Sequence, residues 1–561
     1  MTRKRFTTEE VLKALDETST ESDSEYTFSE SETEFSEISE SEEDIERNEI
    51  DDNGPALNIG WTKLVQDTPA FEALPFTVAN VGPQHSINLT RELDFFKLFF
   101  TDELLADIVT ETNRYAKSKI ENNNLESHSI WHKWKNVTLE EIHAYFGTIL
   151  NMALNEKSSI KHYFSCDWLN YMPFFSAVFS RNRFLQIHWM LHVSPPSNPS
   201  NELNRRARKV HRVVSEMKSS CSRNFVPSRN IAIDEVLLDS KWGIRVFVLA
   251  DSETGYISFF EPYYGNCTTE SLARPMMQFT SRIVLHLCDE LLEAAQGSGY
   301  HLFTDRLYTS FPLAQELLKM NIQTTGTIMK NRKQLPEDIK KLKLKRHEVS
   351  AYVHSSNVMV LAWQDRRQGL MLSTFHDSTT EVAKQRIKGG IVDIDKPTVI
   401  VNYSKYMGAV DRADHYCSSY SFLRKSLKWW RKIFFWLLEV AVVNSYILFN
   451  KFCEGNGKNK LRHLTYRQNL IEQLVGACRN TQERKGRRSS LDDNERLNQK
   501  PHFIAQVPSN NAKDCLVCSD RKTQGGRKKT VYFCKTCTRK PGLHPTDCFE
   551  LYHTKTDFRI K

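Results

Sequence analysis

Three apolar stretches, far apart along the chain, each run into an aspartate, and that pattern limits the fold more than any other feature. Ile231-Ala-Ile ends on Asp234. Tyr300-His-Leu-Phe-Thr ends on Asp305. Val399-Ile-Val-Asn-Tyr leads through Met407-Gly-Ala-Val to Asp411, with Asp414 three residues on. A carboxylate closing an apolar strand is costly to bury unless something pairs with it. Asp234 alone reads as a hydrogen-bond acceptor at a strand end. Three such residues from separate segments read as hard oxygen ligands for Mg²⁺, and a two-metal site acts on phosphodiester bonds. The fold must then bring three separate segments to one rim of a sheet.

The surrounding pattern supplies such a sheet. Residues 231–265 read as three short strands rich in β-branched and aromatic residues, with turns at Asp239-Ser240 and at Asp251-Ser252 with Gly255. A helix is expected over Ser271–Ala295, then the Asp305 strand, a helix over Phe311–Lys319 and a strand over Thr324–Met329. The order β-β-β-α-β-α-β implies a mixed sheet with helices beside it. Further short strands are expected at Glu348–Val353, Val358–Trp363 and Leu370–Ser373, within a β-rich insertion over 332–396.

Helical periodicity brackets this core. From Leu93 apolar residues recur at helical spacing, Thr101 is placed to cap a helix, and Thr138-Leu-Glu-Glu141 is a capping-box pattern. Arg181–Leu191 and a basic stretch from Arg205, closed by Pro227, read as further helices. Beyond Asp414 come Trp429 and Trp430 among basic residues, then an apolar helix over Phe434–Phe449. The Trp pair reads either as a stacking platform for bases or as the buried start of that helix. Organisation along the chain is therefore an acidic region at 1–70, a helical domain at 90–228 and 417–480, a catalytic core at 229–331 and 397–416 around the insertion, a linker at 481–512 and a cysteine-rich module at 513–556. The linker carries Arg484-Lys-Gly-Arg-Arg, which reads as a nuclear-import or phosphate-binding cluster or as plain linker charge.

Charge separates along the same lines. The formal net charge is +7, yet residues 1–60 hold 19 Asp or Glu against 5 Lys or Arg, a balance of −14, so the remainder carries +21. A basic body with an acidic, Ser-rich head suits a nucleic-acid binder. The N-terminal Met-Thr-Arg-Lys-Arg-Phe has no apolar run behind it, so no signal peptide is expected. Ile433–Val443 is too short for a membrane span and contains Glu439, so no membrane partner is expected. Twelve Cys lack framework spacing except at the end of the chain, which fits a reducing compartment.

That end is a strong metal signal. Cys515-x-x-Cys518 and Cys534-x-x-Cys537 have the spacing of thiolate pairs that grip Zn²⁺, and His544, Cys548 and His553 follow. Seven ligands fall one short of two closed sites; Cys478 and His502 are the outside candidates. A module this small cannot hold a core without a staple or metal.

Read together, these motifs resemble the piggyBac transposases and the piggyBac transposable element-derived proteins. The matching stretches span about residues 93–555. They include Phe-Phe-Thr-Asp-Glu-Leu-Leu near Leu98–Leu105, Ile231-Ala-Ile-Asp-Glu, Val248-Leu-Ala-Asp-Ser-Glu-Thr-Gly-Tyr, Thr304-Asp-Arg-Leu-Tyr-Thr-Ser, Met407-Gly-Ala-Val-Asp-Arg-Ala-Asp, Lys428-Trp-Trp and Cys548-Phe-Glu-Leu-Tyr-His. The resemblance implies a multi-domain α/β chain with an RNase H-like mixed-sheet catalytic core, a flanking all-helical dimerisation and DNA-binding domain, the β-rich insertion and a C-terminal zinc-binding module. It implies a triad of Asp234, Asp305 and Asp411, with Asp414 beside it, working with Mg²⁺ or Mn²⁺. It also implies a nuclear homodimer that acts on double-stranded DNA at terminal inverted repeats and TTAA sites, with a cross-brace zinc module reading the ends. Two departures stand out. Only Glu235–Trp242 separate Asp234 from Gly243, where relatives have a longer stretch, and His544 stands where many relatives have Cys. The alternatives to an active nuclease are a catalytically silent DNA- or chromatin-binding protein and an interaction adaptor built on the zinc module.

Overall fold

The structure, a computed structural model, describes residues 60–64, 71–84, 89–122, 125, 127–195, 207–238, 243–387, 390–422, 428–479, 495–498, 500–508, 511–520, 525–555 and 558–559. The acidic head, the Asp239-Ser240 turn, the start of the basic stretch at Arg205 and the Arg484 cluster lie outside these residues. The chain divides into two compact units, one ending at Arg479 and one beginning at Asn480.

In the first unit the N-terminal helices form where their caps dictate. α1 is Glu92–Phe96 and α2 is Asp102–Glu121, with the Thr101 hydroxyl accepting from Leu104 N–H. α3, Leu139–Leu154, opens on a complete capping box in which Thr138 and Glu141 bond each other's backbone. These reciprocal bonds satisfy two of the donors that a helix start leaves bare. α4 is Arg181–Met190 and α5 is His211–Asn224. Of the basic helix expected from Arg205, the described part is His211–Asn224; its start lies outside the described residues.

The strands are β1 (Trp61–Lys63), which precedes α1, and, after α5, β2 (Asn230–Leu238), β3 (Ile244–Asp251) and β4 (Ile257–Pro262). α6 (Phe279–Ala295), β5 (His301–Thr304), α7 (Phe311–Lys319) and β6 (Gln323–Thr327) follow. The helix expected over Ser271–Ala295 is broken. A short helix stops at Ser271 and α6 starts at Phe279, because Pro275 disfavours helix in the residue before it and Arg274 takes a positive φ of 58°. The Arg282 guanidinium ties the intervening loop down through the carbonyls of Leu272 and Ala273.

The expected insertion over 332–396 divides in two. β7 (Val349–His354), β8 (Val358–Gln364) and β9 (Gln368–Ser373) extend the main sheet, because β9 pairs antiparallel with β6. Only β10 (Thr380–Ile387) and β11 (Gly390–Pro397) form a separate two-stranded ribbon. The main sheet has nine strands in the order β1-β7-β8-β9-β6-β5-β2-β3-β4. β2, β5 and β6 are mutually parallel neighbours and the other pairings are antiparallel. The run β4-β3-β2-β5-β6 is the RNase H-like order that the resemblance implies.

Past the ribbon, α8 (Thr398–Tyr406) and α9 (Ala409–Ser418) lead to α10 (Trp429–Gly455) and α11 (His463–Val475). α10 is long and apolar enough to cross a membrane, yet 94% of its apolar window is buried inside the protein. It is the spine of the helical body. Its buried Glu439 is held by two bonds from Arg467 Nη2, at 2.6 and 2.7 Å. One sheet face, with Ala232, Val248 and Phe303, shares its core with this body, and the other, with Ile233, Leu249 and Leu302, packs against α6 and α7.

The second unit is small. Ile504–Gln506 pairs with Tyr532–Cys534, Lys513–Asp514 pairs with Lys529–Thr530, and a helix spans Asp547–Thr554. Its core is Val517, Leu543, Tyr552 and Phe558 among the cysteines.

Candidate functional site

Strand register brings the first two aspartates together. Ile233 lies beside Thr304, and Thr304 beside Gly326, across the parallel strands β2, β5 and β6. The next residue along each strand is Asp234, Asp305 and Thr327. Side chains alternate along a strand, so this row shares the face of Ala232 and Phe303. α8 and α9 lie over that face: the Tyr406 ring sits 5.2 Å from Phe303, and Ala409, Val410 and Ala413 join the same core as Ala232. Two bonds fasten the α8–α9 junction to the β3–β4 turn. Ser252 Oγ donates to Tyr406 O and Arg412 Nη2 donates to Ser252 O, both at 2.8 Å. Asp411 falls in the first turn of α9, where a negative charge is favoured by the helix dipole.

The carboxylates feel one another. Asp234 is pushed up to about 8, chiefly by burial and then by the charges of Glu235, Asp305 and Asp411. Burial also raises Asp305, against the backbone N–H groups of Leu307 and Tyr308 and the charges of Arg306 and Arg332. Asp414 is raised by burial and by Asp411. Glu235 faces the opposite side of the sheet, where it accepts from the Tyr308 hydroxyl. A half-buried group of carboxyls that raise one another's pKa suits a hard cation, which would favour their ionised, acceptor-only forms.

Spacing restricts how such cations could be held. Among the described residues, the groups with all ligand atoms within 4.8 Å of one another are two Cys/His sets and Glu261, His286 and Glu290. The aspartates are more widely spread. That excludes one tight cage in which all three carboxylates grip a single ion at once. The Glu261–His286–Glu290 group already has a cation of its own: Lys218 Nζ bonds both glutamates.

The terminal module resolves the ligand count. Cys515, Cys518, His544 and Cys548 form one set, and His502, Cys534, Cys537 and His553 form the other. His544 Nδ1 lies 3.4 Å from Cys518 Sγ, and His502 Nδ1 lies 3.6 Å from both Cys534 and Cys537. Ligands on one tetrahedral Zn²⁺, with Zn–S about 2.3 Å and Zn–N about 2.0–2.1 Å, would be about 3.5 Å apart, so the residues fit that ion. The two Cys-x-x-Cys pairs therefore belong to different sets. They interleave along the chain, because each half of the module lends residues to both. His502 completes the second set, whereas Cys478 lies in the first unit and donates to Glu140 O there. No spacing rule marks His502 in the sequence; its ring stacks on His553 at 4.1 Å, which only the fold reveals. The Trp pair resolves mainly as core: Trp430 is 3% exposed, and Trp429 is half-buried against Tyr264.

Comparison with known proteins agrees with this architecture. The family model described as Transposase IS4 matches residues 91–446, and one described as a DDE_Tnp_1-like zinc finger matches 498–554. Human PiggyBac transposable element-derived protein 5 is 22% identical over 448 residues, covering 74% of this chain and 81% of its own length. Human PiggyBac transposable element-derived protein 3 is 23% identical, covering 82% and 76%. A cryo-EM structure of the piggyBac transposase synaptic complex with hairpin DNA superposes with a TM-score of 0.62 at 23% identity, over 79% of this chain and 90% of that one. With the transposase model matching more than half its length and the zinc-finger model matching its end, the chain belongs to the piggyBac-type transposase family.

Proposed function

We propose that this protein binds double-stranded DNA and cuts and joins its strands at the Asp234–Asp305–Asp411 site, with Asp414 beside it and Mg²⁺ or Mn²⁺ as cofactor. One observation carries the reading: Asp234 and Asp305 share a row on adjacent parallel strands, and α9 brings Asp411 against the same face. When bound, divalent ions offset the carboxylate charge and act as Lewis acids at the phosphodiester. The chain's own part is to hold the carboxylates in register and to keep them half-buried before DNA arrives. Cys515, Cys518, His544 and Cys548, and separately His502, Cys534, Cys537 and His553, would hold structural zinc. The +21 balance beyond residue 60 supplies phosphate contacts and salt-dependent affinity. The likeness to a DNA-bound piggyBac transposase supports DNA ends as the target, by extension terminal inverted repeats flanked by TTAA, bound by a homodimer in the nucleus.

The test is Mg²⁺-dependent nicking of a TTAA-flanked repeat end by the full chain and by Asp305→Ala. Nicking by wild type alone supports the proposal. Equal background from both, with DNA binding intact, leaves the silent DNA-binder instead.

A further inference from the structure

The acid row has a third member that is not acidic. Thr327 stands level with Asp305 on β6, and its Oγ1 lies 3.4 Å from the Tyr403 hydroxyl of α8. Tyr403 is half-buried, and the charges of Asp305, Asp234 and Asp411 all act on it. Its hydroxyl therefore faces the same space as the carboxylates.

α8 is held there from both ends. Asn402 Nδ2 donates to His376 Nε2 at 2.8 Å. The other ring nitrogen, Nδ1, lies 3.1 Å from both Ser373 and Thr325 hydroxyls, and Thr325 in turn meets His301 Nε2 at 2.8 Å. This chain of bonds crosses β5, β6 and β9 beneath the helix. At the far end Tyr406 lies on Phe303 and its carbonyl is tied to Ser252. A buried network that is satisfied throughout fixes one geometry. Asn402 and Tyr403 are adjacent, so the network that seats the first also aims the second.

The chemistry of the site asks for such a group. Ionised carboxylates only accept hydrogen bonds, whereas the non-bridging oxygens of a phosphodiester need donors. The neighbouring Arg332 is turned away, donating to the carbonyls of Arg306 and Leu307 and to Gln278. The phenol remains a protonated donor at neutral pH, since burial and the carboxylate charges push it up to about 12.

We propose that Tyr403, steadied by Thr327, is a working group of the acid site whose hydroxyl donates to a non-bridging oxygen of the phosphodiester engaged there. This rests on the strand-cutting reading, and the experiment separates the two. Full-length wild type, Tyr403→Phe, Thr327→Val and Asp305→Ala are compared for Mg²⁺-dependent nicking, for Mn²⁺ binding without DNA by calorimetry, for DNA affinity and for melting temperature. Tyr403→Phe keeps the ring and its packing. It should keep Mn²⁺ affinity, DNA affinity and melting temperature while losing about 100- to 1,000-fold in nicking rate at saturating Mg²⁺ and DNA. Thr327→Val should lose a few-fold, and the double variant should lose no more than Tyr403→Phe alone, as expected for two residues acting as one unit. Wild-type nicking by Tyr403→Phe, with Asp305→Ala inactive, would overturn the role of Tyr403 and leave strand cutting standing. Equal nicking by wild type and Asp305→Ala would overturn both. A Tyr403→Phe loss of nicking accompanied by lower Mn²⁺ affinity or melting temperature would make Tyr403 a packing residue and overturn the proposal.

Discussion

The acid row and the cysteine–histidine module both gather ligands from distant points in the sequence, but they rely on opposite means. The row stands on a large scaffold. Ile233, Leu249 and Leu302 are fully buried on one face of its strands, and Ala232, Val248 and Phe303 are fully buried on the other. Register fixes where Asp234 and Asp305 stand, and the cluster is frustrated until something neutralises it. The module has four apolar core residues besides its cysteines, and its ligands are themselves the core. In the first case an ion would add chemistry to a finished fold. In the second it would supply the fold. How much a site depends on its metal follows from how much apolar area holds the ligands without it.

That contrast can be broken at several places. The largest effect should come from stripping zinc. A strong chelator should unfold the Asn480–Lys561 unit, removing about 10 kcal/mol for each site, while the first unit keeps its melting transition. Limited proteolysis read by mass spectrometry distinguishes the two units, and joint unfolding would refute the contrast. Within that experiment, His502→Ala should lower bound zinc from two per chain to one; two retained would remove His502 from the ligand set.

Next in size is the buried ion pair of the helical body. Arg467→Leu strands Glu439, whose carboxyl burial already holds above its usual range, inside the core. It should cost about 3–5 kcal/mol by denaturant unfolding of the first unit. An effect below about 1 kcal/mol would mean that water reaches Glu439. Thr138→Ala removes one arm of the capping box of α3 and should cost about 1 kcal/mol, with no change in zinc content.

The smallest effect concerns pH. His286 is held above its usual range chiefly by its bond to Glu261, with Glu290 adding to that and burial and Lys218 opposing it. A raised histidine stabilises most below its unfolded value near 6.5, and the contribution fades as pH rises through the higher folded value. The stability gap between wild type and His286→Gln should therefore shrink between pH 6 and pH 8, by less than about 1 kcal/mol. A gap that widened over that range would show that the neutral ring is the favoured form.

The same contrast explains what could be read in advance. Asp234, Asp305 and Asp411 were legible because each follows an apolar run, and such runs announce strands and buried helices through periodicity alone. Tyr403 and Thr327 were not, since nothing local distinguishes a tyrosine beside a carboxylate from one in a core. In the module, cysteine spacing marked the candidate metal ligands and left open which belong together. The fold decides it: the two Cys-x-x-Cys pairs fall in different sets. The break in the helix after Ser271 was legible in Pro275 and was missed because the apolar pattern on both sides favoured one long helix. The union of β7–β9 with the main sheet depends on the β9–β6 pairing, a long-range contact that no window of sequence contains.

The helical body is stitched across almost the whole first unit. Glu92 accepts from Asn469 and Gln473, and its carbonyl from the Tyr466 hydroxyl, while Leu93 N–H donates to Gln473. During synthesis at about 5–20 residues per second, α1 must therefore wait roughly 20–75 s for α11. For that interval Phe95, Phe96, Phe99 and Phe100, all fully buried in the finished protein, stand open at the ribosome's exit. A chain cut short before α10 would lack the Phe434, Phe449 and Phe452 rings that pack on Phe100 and Phe95. The expected consequence is a yield that falls when chaperones are depleted during translation.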